Sequence, residues 1–227
     1  AKVPLAVLPA GTMNLFARAL KIPLELNAAL ESLASGIIHT VDISTANDES
    51  FVHQFSIGFQ PQMIKLRNSL EYKSRWGKRL ASMRAFAKAM GKPPRFAVRM
   101  TIDGAPTERT VSAISIANNP YGQGMLPVPD GVDRGELCVY IADRLTPAAL
   151  MKLAFTVLTG SWRRNTDVDE ILATKVDLHF PHLGRSAKAT IDGELITLPR
   201  DVKISIHPGE LQVLVPSLDL PGEQKGA

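Results

Sequence analysis

The sequence predicts an α+β chain: a short remnant of an α/β domain, then a mostly antiparallel β-sandwich-like domain with two or more helices. Three observations carry this expectation. At the start, a short apolar strand, a Pro-Ala-Gly-Thr turn and a helical pattern follow one another, as in the opening of an α/β unit. From Ile37 onward the hydrophobic period shortens to alternation, and strand patterns recur as far as residue 215. Two Asp-Gly pairs, Asp103-Gly104 and Asp192-Gly193, punctuate those patterns as hairpin turns.

In chain order, the first strand is expected over Val3 to Leu8 and a helix directly after Thr12. A second helix covers Leu24 to Leu33 and stops at Ser35-Gly36. Strands follow at Ile37–Ile43, Phe51–Ile57, Phe96–Ile102, Val111–Ile116, Leu137–Ile141, Ala187–Ile191 and Val202–Ile206. Two helical patterns interrupt them. One spans about Gln62 to Met90; the other has Thr146 as N-cap, Pro147 at the first helical position and apolar Leu150, Leu153, Ala154, Val157 and Leu158 before Gly160. The expected division is 1–36 for the α/β remnant, 37–215 for the β-rich domain and 216–227 for a polar, flexible tail.

Composition excludes several classes. The 227 residues, 45% apolar and 21% charged, have the balance of an ordinary globular protein. A single cysteine excludes a disulfide framework and any multi-cysteine metal site; Cys138, between Leu137 and Val139, reads as a small buried hydrophobe. No apolar run reaches the roughly 18–20 residues that cross a bilayer, and no signal peptide is visible at the start. The chain opens without methionine on a strand already under way, so it is expected to be part of something longer. A net charge of +4 is a mild bias toward anions, too small to indicate a nucleic-acid partner. His39, His53, His179, His182 and His207 have no metal-ligand spacing and read as structural or exposed.

Three segments can carry chemistry. In Pro9-Ala10-Gly11-Thr12-Met13-Asn14, a glycine between strand and helix permits close approach of a ligand, while Thr12 and Asn14 add hydrogen-bonding groups; a plain N-cap would look the same. Ala117 to Leu137 forms a long Gly-, Asn- and Pro-bearing loop between strands, either functional or a simple surface excursion. Asp192-Gly193-Glu194 sets two carboxylates around one glycine, where one can accept a proton while the other orients it or binds a metal. A bare hairpin is the alternative there, and Asp103-Gly104-Ala105 is the internal control, a similar turn without the second acid.

In order and spacing these segments resemble the diacylglycerol kinase catalytic-domain family, which includes bacterial lipid kinases and sphingosine kinases. The family's Pro-x-Gly-Thr-x-Asn followed by Ala-Arg is similar to Pro9, Gly11, Thr12, Asn14, Ala17 and Arg18. Its Asn-x-x-x-Gly-Gly-Gly and Asp-Asp-Gly-x-Leu resemble Asn119 to Gly124 and Asp133-Arg134-Gly135-Glu136-Leu137, and its late Asp-Gly-Glu matches Asp192-Gly193-Glu194. Its closing pattern matches Pro208, Leu211, Val213, Val215 and Pro216.

The resemblance implies an ATP-dependent lipid kinase acting on a hydroxyl of a diacylglycerol-like or sphingoid lipid. It implies ATP contacts at Gly11, Thr12 and Asn14, and a catalytic pair with Glu194 as base and Asp192 as its partner. It also implies Mg²⁺ near Asp133, although Arg134 stands in place of the family's second acid. The family's Gly-Gly-Asp-Gly-Thr nucleotide loop is expected upstream of Val3, so the chain alone is expected to be inactive. Its first strand, without parallel neighbours, is expected to be disordered or to pair with another molecule, giving a homodimer. Ten basic residues between Lys65 and Arg95 are interrupted only by Glu71, with Leu80, Met83, Ala87 and Met90 at helical spacing. The cationic face, with Lys73, Arg75, Trp76, Lys78 and Arg79 as contacts, suits either plain solvation or peripheral docking to an anionic membrane from the cytoplasm. A soluble-metabolite kinase of the NAD kinase kind and a non-catalytic lipid- or membrane-binding module are the competing readings.

Overall fold

Alternation of apolar and polar side chains builds most of the molecule. The computed structural model describes residues 3–61, 64, 91, 93–123, 126–143, 145–149, 152, 156, 167–184 and 186–217. The elements run β1 (Leu5–Ala6), α1 (Leu15–Ala19), α2 (Leu26–Ala34), β2 (Ile37–Ala46), β3 (Glu49–Phe51), β4 (Gln54–Gly58), β5 (Phe96–Ile102) and β6 (Ala105–Val111). They continue with β7 (Ala113–Asn118), β8 (Leu137–Ala142), β9 (Asp169–Ala173), β10 (Lys175–His179), β11 (Lys188–Ile191), β12 (Glu194–Thr197) and β13 (Asp201–Val215).

The strands form two sheets, in the orders β3-β2-β13-β10-β5-β6 and β12-β11-β4-β7-β8-β9, with β1 added beside β13. Val98, Met100, Val176, Leu178, Val202 and Ile204 of the first sheet share one core with Phe55, Ile57, Ile114, Ile116, Val139 and Ile141 of the second. That is a β-sandwich, as expected, and every strand pair is antiparallel except β1 with β13. A second cluster lies on the other face of the first sheet, where Ala17, Leu20, Ile22, Ala29 and Leu33 pack on Val41 and Val213. Helix α2 is capped by Glu25, whose carboxylate accepts from Asn27 N and Ala28 N.

Several expected strands change shape, for one recurring reason. Phe51–Ile57 is two strands on different sheets, with the Val52-His53 bend between β3 and β4. Val111–Ile116 is likewise two, divided at Ser112 where β6 hands over to β7. Side chains on both sides of each corner enter the same core, so the apolar pattern continues across a bend that it cannot reveal. Strand β9 has no counterpart in the expected set; it is an edge strand opening on Asp169 and Glu170, whose charges hide its period. Strand β13 runs past Pro208-Gly209, which a register shift between His207 and Leu211 absorbs as a bulge.

The first strand is also corrected. It is two residues long and pairs in parallel within its own chain, Leu5 with Val213 and Ala6 with Leu214. Strand β10 covers β13 only from Asp201 to Ser205, leaving the later part open for β1. Helix α1 begins at Leu15, not after Thr12, because Asn14 adopts a left-handed conformation with φ 51°. Thr146 caps as expected, its hydroxyl accepting from Ala149 N at 3.1 Å, but most of that helical pattern, the 62–90 pattern and the tail beyond Ser217 lie outside the described residues.

Candidate active site

The two Asp-Gly hairpins make the same backbone device. Asp103 and Gly104 have φ of 45° and 86°, Asp192 and Gly193 have 47° and 91°, which is the primed two-residue turn that aspartate and glycine permit. In each turn the aspartate grips a neighbouring segment of the same chain. Asp103 accepts from Thr174 N, Thr174 Oγ1 and Lys175 N. Asp192 accepts from Val52 N, His53 N and Gln54 N, each at 2.9 Å, fastening its hairpin onto the β3–β4 corner. Burial alone would raise the Asp103 pKa, but the Thr174 and Lys175 donors outweigh it and hold it below its ordinary value. Glu194, the paired acid that the control turn lacks, is exposed and has no hydrogen bond or ion pair among the described residues. Asp192 is thus the fixed member and Glu194 the free one.

Beneath this corner, polar side chains enter the end of the sandwich. Asp42 and Ser44 of β2 are buried, as is Asn118 of β7, which follows Ile114 and Ile116 on the inward side of its strand. Ser44 Oγ donates to Asn118 Oδ1 at 2.7 Å, and Asn118 Nδ2 donates to the carbonyls of Asp42 and Val52. The Asp42 carboxylate accepts Gly135 N at 2.6 Å and Gly209 N at 2.9 Å, clamping the 130–136 loop to the β13 bulge. Next to it, Asn119 Oδ1 accepts Arg134 N, while Asn119 Nδ2 is buried without a partner among the described residues. Sequence reasoning missed Asp42. Its neighbours Val41 and Ile43 made it look like the solvent side of an alternating strand, whereas both faces of β2 are covered.

On the outer face of the second sheet, Gln54 Oε1 accepts from Ser115 Oγ and Tyr121 OH, and Ser56 meets Thr190 at 2.7 Å. Tyr121 stacks on Tyr140 with centroids 5.0 Å apart, and burial pushes both phenol pKa values up. The supposed surface excursion after β7 therefore starts inside the protein: Asn119, Pro120 and Tyr121 are buried, and a Tyr121–Pro129 bridge folds the loop back. His53 is buried too, its ring 5.5 Å from that of Tyr121 and both of its nitrogens without a partner among the described residues. Burial lowers its pKa, against an opposing pull from Asp192. Nothing in its spacing marked it; only the corner places it beneath Asp192.

The Pro9–Asn14 turn is built by Asn14, which accepts Gly11 N at 2.7 Å and donates to the Pro9 carbonyl at 3.3 Å. Asn14 thus gives one lone pair and one amide hydrogen to the turn. Thr12 is exposed, its hydroxyl without a partner among the described residues, and Arg18 Nε donates to the Met13 carbonyl just behind. One exposed hydroxyl and one guanidinium fit an outer contact to a nucleotide phosphate. Val132 of the 130–136 loop packs in the same cluster as Val7, Phe16 and Ala17, so turn and loop share one end of the molecule. No hydrogen bond joins Gly11, Thr12 or Asn14 to Asp192 or Glu194.

Asp133 does not fit a dedicated Mg²⁺ site. Its exposed carboxylate has His39 as its one charged partner among the described residues, at 3.8 Å, and Asp42 is committed to two glycine N–H groups. Among the described residues no three His, Cys, Asp or Glu side chains converge to hold a metal. A groove of about 270 Å³ opens at the far end of β4, lined by Ile57, Gly58, Phe96 and Phe180, away from the carboxylates. The hydrogen-bonded corner, where the chemistry-bearing residues gather, defines the site better than this groove. The expected membrane contacts Lys73, Arg75, Trp76, Lys78 and Arg79 lie outside the described residues. No helix among the described residues is long and apolar enough to cross a membrane.

With this geometry in view, comparison with known proteins gives a consistent picture. Residues 65–215 match the family of YegS C-terminal NAD kinase beta sandwich-like domains, and residues 1–46 match the diacylglycerol kinase catalytic domain. An uncharacterised protein of Synechocystis is 27% identical over 94% of this chain, which spans 50% of that relative's length. A Staphylococcus epidermidis protein named "Putative lipid kinase" is 25% identical over 93% of this chain and 68% of its own. The crystal structure of a diacylglycerol kinase from Bacillus anthracis superposes with a TM-score of 0.68 at 21% identity, covering 94% of this chain and 69% of that one, a likeness of fold.

Proposed function

Because the chain belongs to the family of YegS C-terminal NAD kinase beta sandwich-like domains, we propose that it supplies the acceptor-binding and catalytic part of an ATP-dependent lipid kinase. The observation that carries this reading is the match of residues 1–46 to the diacylglycerol kinase catalytic domain, joined to a sandwich that presents Glu194 beside a fixed Asp192. The substrate class is a diacylglycerol-like or sphingoid lipid with a free hydroxyl. Glu194 takes the hydroxyl proton as that oxygen bonds to the γ-phosphorus of ATP and the bond to the ADP oxygen breaks. Asp192 holds the hairpin that places Glu194. Thr12 and Arg18 contact the nucleotide, which brings its own Mg²⁺.

In this reading residues 1–36 complete an ATP-binding unit, 37–215 handle the lipid, and 216–227 form a tail. The 227 residues hold no Gly-Gly-Asp-Gly-Thr loop, so alone they have little to position a triphosphate and are inactive. The basic 65–95 segment supports peripheral docking to the anionic cytoplasmic leaflet. Leu5, Leu26, Leu30, Ile37 and Ile38 are exposed around β1, α2 and β2, which supports self-association of the isolated chain. Sedimentation velocity finding only monomer at tens of micromolar would remove that part.

The test of the whole reading is phosphate transfer from labelled ATP by the full-length gene product. Diacylglycerol and sphingosine in anionic vesicles are offered beside NAD. Labelled lipid phosphate is expected. Labelled NADP would move the assignment to a soluble metabolite, and vesicle binding without any transfer would leave only a lipid-binding module.

A further inference from the structure

We propose that His53 is the binding residue for the acceptor hydroxyl, an inference that rests on the kinase reading of the same corner. The imidazole is buried, yet neither Nδ1 nor Nε2 has a hydrogen-bond partner among the described residues. Both nitrogens are out of reach of solvent, so a partner meets them only when the corner loosens, and pairing there recovers part of the roughly 1–3 kcal/mol that an unpaired buried polar group costs. Its surroundings select that partner. The backbone N–H of His53 is one of the three that Asp192 holds, so the ring hangs from the anchor of the Asp192-Gly193-Glu194 turn. On the other side Tyr121 stands 5.5 Å away, its hydroxyl already committed to Gln54.

Charge decides between ligand classes. Burial disfavours the imidazolium that a tightly held free anion would need as its counter-charge, so the resting ligand of this ring is a neutral group. A neutral imidazole offers one donor and one acceptor. An alcohol O–H is the group that complements both, donating to one substrate-free nitrogen lone pair or accepting from the ring N–H. His53 then orients the hydroxyl toward the carboxylates of the turn, while Glu194 remains the proton acceptor. A second buried orphan, Asn119 Nδ2, lies at the end of β7 one residue beyond Asn118, whose backbone N–H donates to the His53 carbonyl.

The test uses the full-length protein, ATP and 1,2-dihexanoylglycerol, with the 3-O-methyl ether of that diacylglycerol as the ligand lacking a hydroxyl. His53→Phe, which keeps the contact with Tyr121 but no ring nitrogen, is expected to raise KM for the alcohol about tenfold, with KM for ATP unchanged. His53→Gln, which restores a donor and an acceptor, is expected to recover most of that loss. In histidine-labelled wild-type protein without ATP, the His53 ring resonances are expected to move with the alcohol and not with the ether. An unchanged KM for the alcohol in an active His53→Phe enzyme overturns the inference while the kinase reading stands. Equal resonance shifts from both ligands, or none from either, overturn it as well. Absence of transfer to any alcohol by the wild type removes the kinase reading, and the ring resonances still decide whether His53 binds a hydroxyl.

Discussion

Asp103 and Asp192 occupy the same turn and perform the same structural work, and this pair separates folding from chemistry. Each carboxylate accepts several hydrogen bonds from a neighbouring segment, so replacing either by asparagine removes charge-assisted bonds and is expected to cost about 1–2 kcal/mol in urea unfolding. The Asp103 contribution is pH-dependent. Its folded pKa lies below the ordinary 3.8, so the stabilisation is full above that value and is lost as pH falls through the lower, folded value. Asp103→Asn is therefore expected to flatten the acid limb of the stability curve; an unchanged limb would contradict the assignment. At this scale the sequence was informative where a residue type dictates its own geometry, as Asp-Gly does in a primed turn. It read His53 only as structural or exposed and gave no sign of Asp42, because their surroundings are assembled from β2, β7, β11 and β13, far apart in the chain.

At the scale of elements, alternation located the central strands and failed at corners. Strand β5 has its expected bounds because both of its ends are turns or loops with their own chemistry. The β3–β4 and β6–β7 corners were invisible because Phe51 and Phe55, or Val111 and Ile114, feed one core from two sheets. Gly58 closes the second corner. Its φ is +88°, and a Cβ there would sit 2.2 Å from the Ser112 carbonyl oxygen, at the bend itself. Gly58→Ala is expected to destabilise the fold by roughly 2–4 kcal/mol, read as a drop in the urea midpoint without a change in slope. A loss within about 0.5 kcal/mol would mean that the corner is less constrained than its geometry implies.

For the whole molecule, a sandwich of ordinary core has one end filled with polar groups: Asp42, Ser44 and Asn118 inside, His53 and Asp192 at the corner, Glu194 free beside them. Ordered polar residues in a core are costly, and their concentration at the end facing the 130–136 loop fits a working site better than a stabilising one. The resemblance in the sequence pointed to that end through Asp192-Gly193-Glu194, but the reason for the arrangement is three-dimensional. One matched series tests it directly: lipid phosphorylation by the full-length protein bearing Glu194→Gln, Asp192→Asn or Asp103→Asn, each compared at equal folded fraction. The account predicts that Glu194→Gln lowers kcat by at least about 10²-fold with little loss of stability, and that Asp192→Asn lowers both. Asp103→Asn should lower stability alone. Small and equal activity losses at all three positions would contradict the account, leaving the Asp-Gly-Glu segment as a turn and nothing more.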